Sequence, residues 1–198
     1  MTQKKENMLM KANYILYKAT DMLLAIILGD YYNKDVGVFL DEAGKIKQAY
    51  HNVIPDVLRS YDGTYKNQIQ IREWHNLVPD VLRFELATLI SGTSITPTLK
   101  ANYLAMGDDS TAPTNADTIL GNETIRGLFS DRFAIDNVAY LDKFRSSAEV
   151  GGNSYQEIGV FVDGGVGADT GYLLSHILIN ESMWANETLT VNVTITIL

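Results

Sequence analysis

The sequence predicts a mainly β protein with α: an antiparallel, sandwich-like β domain at the C-terminal end, preceded by an N-terminal helix and a small α/β region. Three observations carry this. Residues 189–197 alternate apolar and polar without a fault, the pattern of a strand with one buried and one wet face. Apolar runs at residues 158–162 and 172–179 are separated by a Gly-rich stretch, as in a meander. Near the start, Met8, Ala12, Ile15, Ala19, Met22 and Ile26 recur at spacings of four and three, the period of an amphipathic helix.

With 198 residues the chain is long enough to bury a proper core, and 46% hydrophobic against 20% charged residues is the balance of a folded globular protein. The formal net charge is −8, and residues 151–198 contain no Lys or Arg. Such a surface repels phosphate and lacks the cations that drive nucleic-acid binding, so DNA and RNA are excluded as ligands of this half. Lys4, Lys5, Lys11 and Lys18 give the start a mild basic bias that a solvated helix face explains. There is no cysteine, which rules out disulfides and thiolate metal sites. The longest apolar run, residues 22–28, is too short to span a bilayer, where about 20 residues are needed. No small-residue cleavage site follows it, so synthesis in the cytoplasm without export or membrane insertion is expected.

Taken in order, residues 1–32 read as a helix that Gly29 stops, packed on its own domain or serving as an arm toward a neighbour. Residues 33–98 form the α/β region. It opens with a hairpin, residues 36–40 and 45–50 around Asp41-Glu42-Ala43-Gly44. Then comes a duplication: His51-Asn52-Val53-Ile54-Pro55-Asp56-Val57-Leu58-Arg59 returns as His75-Asn76-Leu77-Val78-Pro79-Asp80-Val81-Leu82-Arg83, identical at seven of nine positions. Pro with its fixed φ suits the first turn of a helix, and Asp after it faces the positive end of the helix dipole. Each copy thus reads as a strand ending at His-Asn and a helix opening at Pro55 or Pro79, the second running to Gly92. Residues 99–198 form the β domain, with strands at 103–106, 158–162, 172–179 and 189–198, imperfect alternation over 133–144 and an undecided segment at 116–128.

The chemistry-bearing residues have bland readings. His51, Asn52, Pro55, His75, Asn76 and Pro79 fit a structural corner in which imidazole and amide tie off backbone groups. A zinc site would need further ligands at a recognisable spacing, and no His-Glu-x-x-His run exists. His176 reads as a strand residue on the wetter face. Gly164-Gly165-Val166-Gly167-Ala168-Asp169 matches a calcium-binding nonapeptide once, without the stacked repeats such a site requires, so a flexible loop joining two strands is expected. No phosphate-binding loop or nucleophile elbow is present. A glycosidase carboxylate pair is defined only by distance in space. Asn-x-Ser/Thr triplets at Asn122, Asn180, Asn186 and Asn192 are by-products of Thr-rich strands.

The run Tyr103-Leu104-Ala105-Met106-Gly107, a polar turn with Ala112-Pro113-Thr114, and Asp117-Thr118-Ile119-Leu120-Gly121-Asn122-Glu123-Thr124-Ile125-Arg126 resembles a signature of tailed-bacteriophage virion proteins. Trp74-His75-Asn76-Leu77-Val78 is similar to their upstream segment, and Glu157-Ile158-Gly159-Val160-Phe161 with Gly171-Tyr172-Leu173-Leu174 to their downstream hairpin. The additional, earlier His-Asn corner at His51-Asn52 and the long N-terminal helix depart from that pattern. The resemblance implies a β-rich, multi-copy, non-enzymatic structural protein of a tail fibre, baseplate, collar or head appendage. It would act in the virion without cofactor or metal, through contacts with itself and other virion proteins. The alternatives are a receptor- or carbohydrate-binding tip that meets a host surface glycan, favoured if Tyr155, Tyr172 and Trp184 cluster on the surface, and behind it a glycan-degrading virion enzyme. Glu123 and Arg126, three apart, would share a face if helical and pair to fix a loop.

Overall fold

The computed structural model describes residues 10–75, 79–92 and 98–197. Among these residues nine strands form two antiparallel sheets: β1 (Met10–Thr20), β2 (Gln70–His75), β3 (Ala101–Gly107), β4 (Glu123–Leu128), β5 (Asp131–Ile135), β6 (Val138–Arg145), β7 (Ser154–Val162), β8 (Tyr172–Ser182) and β9 (Glu187–Ile197). The five-stranded sheet runs β2-β1-β9-β6-β5 and the four-stranded sheet β4-β3-β7-β8. Between them lies the main core. One sheet contributes Ala12, Tyr14, Leu16, Leu189, Val191 and Val193, the other Leu104, Met106, Ile158, Val160 and Ile177. The Tyr14 hydroxyl bonds the Ser175 hydroxyl across this gap, and burial pushes the phenol's pKa well up. The mainly β, sandwich-like class expected from the sequence is the observed one.

Strand β9 forms the centre of the larger sheet, pairing along its length with β1 on one side and β6 on the other. Its alternation puts Leu189, Val191, Val193 and Ile195 into the main core. The opposite face is not wet as expected: Thr188, Thr190 and Asn192 are also buried. A third layer covers them, built from α1 (Asp21–Tyr32), α2 (Ile54–Ser60) and the loops around them. Its own core unites Leu24, Ile27, Leu28, Phe39, Ile54, Val57 and Leu58 with Tyr17, Ala19 and Phe144 of the sheet. Two of the three are tied down by bonds: the Thr188 hydroxyl donates to the Ala19 carbonyl at 2.9 Å, and the Asn192 amide donates to Asp142.

The expected N-terminal helix is present but shorter than residues 1–32: residues 10–20 are strand β1, and the helix α1 begins only at Asp21, where the Thr20 hydroxyl accepts from the Leu23 amide at 3.1 Å as a cap. Residues 10–20 carry apolar groups on both faces because β1 is an interior strand, and a two-sided apolar run satisfies helical spacing as well as strand spacing. Gly29 does not stop the helix; Asn33 does, in the left-handed conformation at φ 52°. The segment is therefore no detachable arm, and the division at residues 32/33 and 98/99 does not hold, since β1 and β2 share a sheet with β5, β6 and β9.

The expected hairpin at residues 36–50 shrinks to one bridge, Leu40 to Ile46, flanked by 3-10 turns at Val36–Val38 and Gln48–Tyr50. The duplicated nonamer adopts two settings. In the second copy β2 leads through Pro79, the cap of α3 (Asp80–Ser91), and Gly92 closes that helix at φ 68°. The first copy lacks the expected strand: a 3-10 turn precedes His51, and Pro55 sits in the first turn of α2. Beyond the Leu40–Ile46 bridge residues 36–50 have no strand partner among the described residues, whereas β2 has β1 beside it. Here tertiary pairing decides what local propensity leaves open.

Candidate functional site

The His-Asn corners do not come together. His51 Nε2 lies 3.3 Å from the Ile46 carbonyl oxygen, which it can donate to, and His75 Nδ1 lies 2.7 Å from Asn13 Oδ1. Asn52 is exposed, and Asn76 lies outside the described residues. His51 and Asn52 line a cleft of about 760 Å³ with Lys45, Lys143, Ser147 and Glu149. Its charges are largely engaged: Lys45 Nζ donates to Ser147 Oγ at 2.8 Å, and Glu149 accepts from the Ser146 amide at 2.8 Å and from Arg145 at 3.2 Å. Burial, with Arg145 beside it, pulls the Lys143 pKa down. Elsewhere, carboxylates of Asp56, Asp131 and Asp142 converge within 4.8 Å, as a cation site would require. The Arg59 guanidinium already bonds Asp56 at 3.0 Å and, more closely, the buried Asp142, so this cluster carries its own cation.

A constellation of five ionisable groups, Asp117, Glu123, Arg126, Glu157 and His176, lies on the outer face of the four-stranded sheet. Along β3 and β7, Tyr103, Ala105, Gly107, Glu157, Gly159 and Phe161 point away from the main core, because Leu104, Met106, Ile158 and Val160 point into it. His176 of β8, opposite Gly159, belongs to the same outer row. Two loops fold over this face, residues 108–122 and 163–171, and each is held by charged groups.

Under the first loop His176 bridges two carboxylates. Its Nδ1 lies 2.9 Å from Asp117 Oδ2 and its Nε2 2.9 Å from Glu157 Oε2. Glu157 also accepts from the amides of Gly121 at 2.9 Å and Asn122 at 2.8 Å, and Asp117 accepts from the Thr114 amide at 2.9 Å and hydroxyl at 2.6 Å. Burial disfavours the charged imidazole, yet the two acidic partners win and raise its pKa. Burial likewise works against both carboxylates; His176, the Asn122 and Gly121 amides and Thr114 overcome it and lower their pKa values. Only an imidazolium has two N–H donors, so this geometry calls for the protonated ring. The expectation that His176 sits on a wetter face is corrected: it is 4% exposed. Close approach sets the small residues. A Cβ on Gly107 would overlap the Glu157 carboxylate and the Asn122 carbonyl, and one on Gly159 would lie 2.8 Å from Leu120 and 2.9 Å from Leu173.

The second loop is held by Glu123 and Arg126. Residues three apart on a regular strand face opposite ways, and the segment is strand β4, not the helix considered for this pair. The register with β3 shifts between Met106 and Gly107, passing from Ile125 to Glu123, so Thr124 is an extra residue and the bulge turns Glu123 onto the face of Arg126. The pair is bidentate, Nε to Oε1 at 2.5 Å and Nη2 to Oε2 at 2.6 Å, and both side chains are buried. The remaining Nη1 donates to the Gly165 and Thr170 carbonyls at 3.1 Å and to Thr170 Oγ1 at 2.8 Å. The guanidinium also lies 4.6 Å over the Phe161 ring. Residues 164–169, weighed as a calcium-binding repeat, are thus a loop pinned by an arginine.

Of the residues that carried the sequence resemblance, Gly107, Thr114, Asp117, Gly121, Asn122, Glu123, Arg126, Glu157, Gly159 and Phe161 take part in this double clasp, while Leu104, Met106, Ile158 and Val160 fill the main core. Sequence reasoning found the Glu123–Arg126 pair and missed the Asp117–His176–Glu157 bridge, whose members lie 59 and 19 residues apart along the chain. The clasp encloses a cleft of about 390 Å³ between the first loop and the sheet. Its histidine and carboxylates already serve as each other's partners, which suits a fixed loop better than proton transfer to a bound molecule. The aromatics named for a glycan-binding tip do not cluster: Tyr155 is buried, Trp184 is 75% exposed, and Tyr172 lies at the other end of the β7–β8 pair. No helix among the described residues is long and apolar enough to cross a membrane. Comparison with protein-family models, with curated proteins and with solved structures gave no match.

Proposed function

We propose that this chain is a non-enzymatic structural component of a tailed-phage virion, made in the host cytoplasm and held in the particle by contacts with its own copies and with other virion proteins. The observation that carries the reading is the double clasp. The charged residues of the virion-protein signature, Asp117, Glu123, Arg126 and Glu157, are used with His176 to fix two loops to a sheet, bonded to one another or to backbone. Selection for rigid, shaped loops is what an assembly component requires; a catalytic site needs groups left free to meet substrate. The scattered aromatics favour this reading over a glycan-binding tip. Mass spectrometry and immunogold microscopy of particles made by the phage genome that encodes the chain should find it in stoichiometric, multi-copy amounts. Its absence from purified particles would overturn the reading.

A further inference from the structure

The edge of the larger sheet formed by β5 has a free side whose chemistry is self-complementary. The Ile197 amide donates to the Asn137 carbonyl at 2.9 Å, so Asn137 faces β9 and the next residues alternate: Val138, Tyr140 and Asp142 turn their backbone groups toward β5. Their partners Ile135, Phe133 and Asp131 are thereby satisfied, which leaves the N–H and C=O of Ala134 and the C=O of Arg132 pointing out of the sheet. The Arg132 amide is turned aside to Asp131 Oδ1 at 2.8 Å. No strand lies beyond β5 among the described residues. Such an edge templates pairing with another strand. It is also apolar: Ile135 is 57% exposed, and Phe133 stands in place, stacked on Tyr140 at 4.8 Å.

We propose that β5 pairs antiparallel with β5 of a second copy about a two-fold axis at Ala134, joining the two five-stranded sheets into one. The proposal rests on the self-assembly in the function proposed above. Two-fold symmetry requires a residue to face its own counterpart, which limits the registers. Centring on Arg132 would oppose two guanidiniums, and centring on Phe133 would set each Asp131 carboxylate against an Ile135. Centring on Ala134 lets the two Ala134 residues exchange backbone bonds, puts each Phe133 beside Ile135 of the second copy in the close non-hydrogen-bonded position, and sets each Arg132 against Asp136 of the second copy. Apolar meets apolar twice; Arg132, whose Nη1 also donates to the Ala101 carbonyl of its own chain at 3.1 Å, meets Asp136, the left-handed residue at φ 53° that follows the end of β5. The occupant is therefore this chain itself.

Since the chain has no cysteine, introduced thiols report the register directly. Phe133→Cys and Ile135→Cys variants, one carrying a size tag, are oxidised mildly, alone and mixed. The mixed sample should give the tagged-untagged disulfide about ten-fold faster than either variant alone forms its own, because only the mixed pair lies directly opposite. Ile135→Lys, at an exposed position, should shift the wild-type dimer to monomer in size-exclusion chromatography with light scattering while thermal unfolding stays unchanged. A monomeric wild type, or equal cross-linking in all samples, would overturn this interface. If the chain still multimerises or is found in particles, the virion reading survives that loss; absence from particles removes both.

Discussion

Replacing Glu157 by Gln tests the clasp at its most connected point. The Glu157 carboxylate is buried and accepts three hydrogen bonds, from Gly121 N at 2.9 Å, Asn122 N at 2.8 Å and His176 Nε2 at 2.9 Å. Glutamine keeps one acceptor oxygen and turns an NH2 group toward a donor, so at least one N–H is left facing another N–H. It also leaves the imidazolium with Asp117 as its remaining carboxylate partner. Hydrogen bonds to charged groups contribute about 1.5–3 kcal/mol each, and breaking one side of a buried ion pair costs about 3–5 kcal/mol. A loss of about 3–5 kcal/mol is therefore expected, against at most about 1 kcal/mol were this a surface pair. With a typical stability of about 5–15 kcal/mol the variant should still fold. Urea denaturation near pH 6 measures the loss, and amide hydrogen exchange at Gly121 and Asn122 should accelerate with it. A change below about 1 kcal/mol with exchange at those two amides unaltered would refute the reasoning.

Further outcomes follow from the same geometry. The His176 pKa is raised, so its contribution to stability is complete below its ordinary value of 6.5 and is lost as pH rises through the raised value; those of Asp117 and Glu157 are lowered, so their contribution is present above the ordinary carboxylate range and lost as pH falls through the lowered values. Denaturant midpoints across pH should peak between these limits, and His176→Gln should flatten the alkaline side. Gly159→Ala should destabilise by about 1–3 kcal/mol, because its Cβ would press on Leu120 and Leu173, and Leu120→Ala in the same chain should recover part of the loss in a double-mutant cycle. Arg126→Lys keeps the charge but loses the bidentate fork, so proteolysis within residues 163–171 should become faster while the melting curve drops by a few degrees. Deleting residues 1–20 should abolish folding, seen as loss of the near-ultraviolet circular dichroism, because β1 is an interior strand; retention of a cooperative transition would contradict the pairing with β9.

The parts of the fold that were legible in the sequence are those whose pattern has one interpretation. Strand β9 alternates over residues 189–197 and admits no helical face, and α3 is bracketed by Pro79 and Gly92. Strand β1 was illegible for the opposite reason. Ala12, Tyr14 and Leu16 serve one core, Tyr17 and Ala19 the other, and a strand buried on both sides loses the alternation that identifies it. What replaces that signal is information from β9 and β2, far along the chain.

The clasp was hidden by the same kind of distance, with a local clue in reach. Thr114-x-x-Asp117 is the spacing at which a carboxylate accepts from both the amide and the hydroxyl of a residue three before it, so it marks a shaped turn and not a solvated one. A carboxylate fixed in that way has a defined direction, and a lone histidine within an apolar strand needs a partner once buried. Glu123 and Arg126 argue likewise. Their pairing at a spacing of three suggested a helix, yet the bonds to residues 165–170 are possible because a strand with a bulge presents both to the next loop. The spacing expressed the need for the two residues to share a face, and the backbone met that need with one extra residue at Thr124. Deleting Thr124 is therefore predicted to put Glu123 on the opposite face from Arg126 and to free the 163–171 loop without removing either charge, whereas Thr124→Ala should leave the loop protected in hydrogen exchange. Equal protection in both variants would mean that the pair does not depend on the bulge.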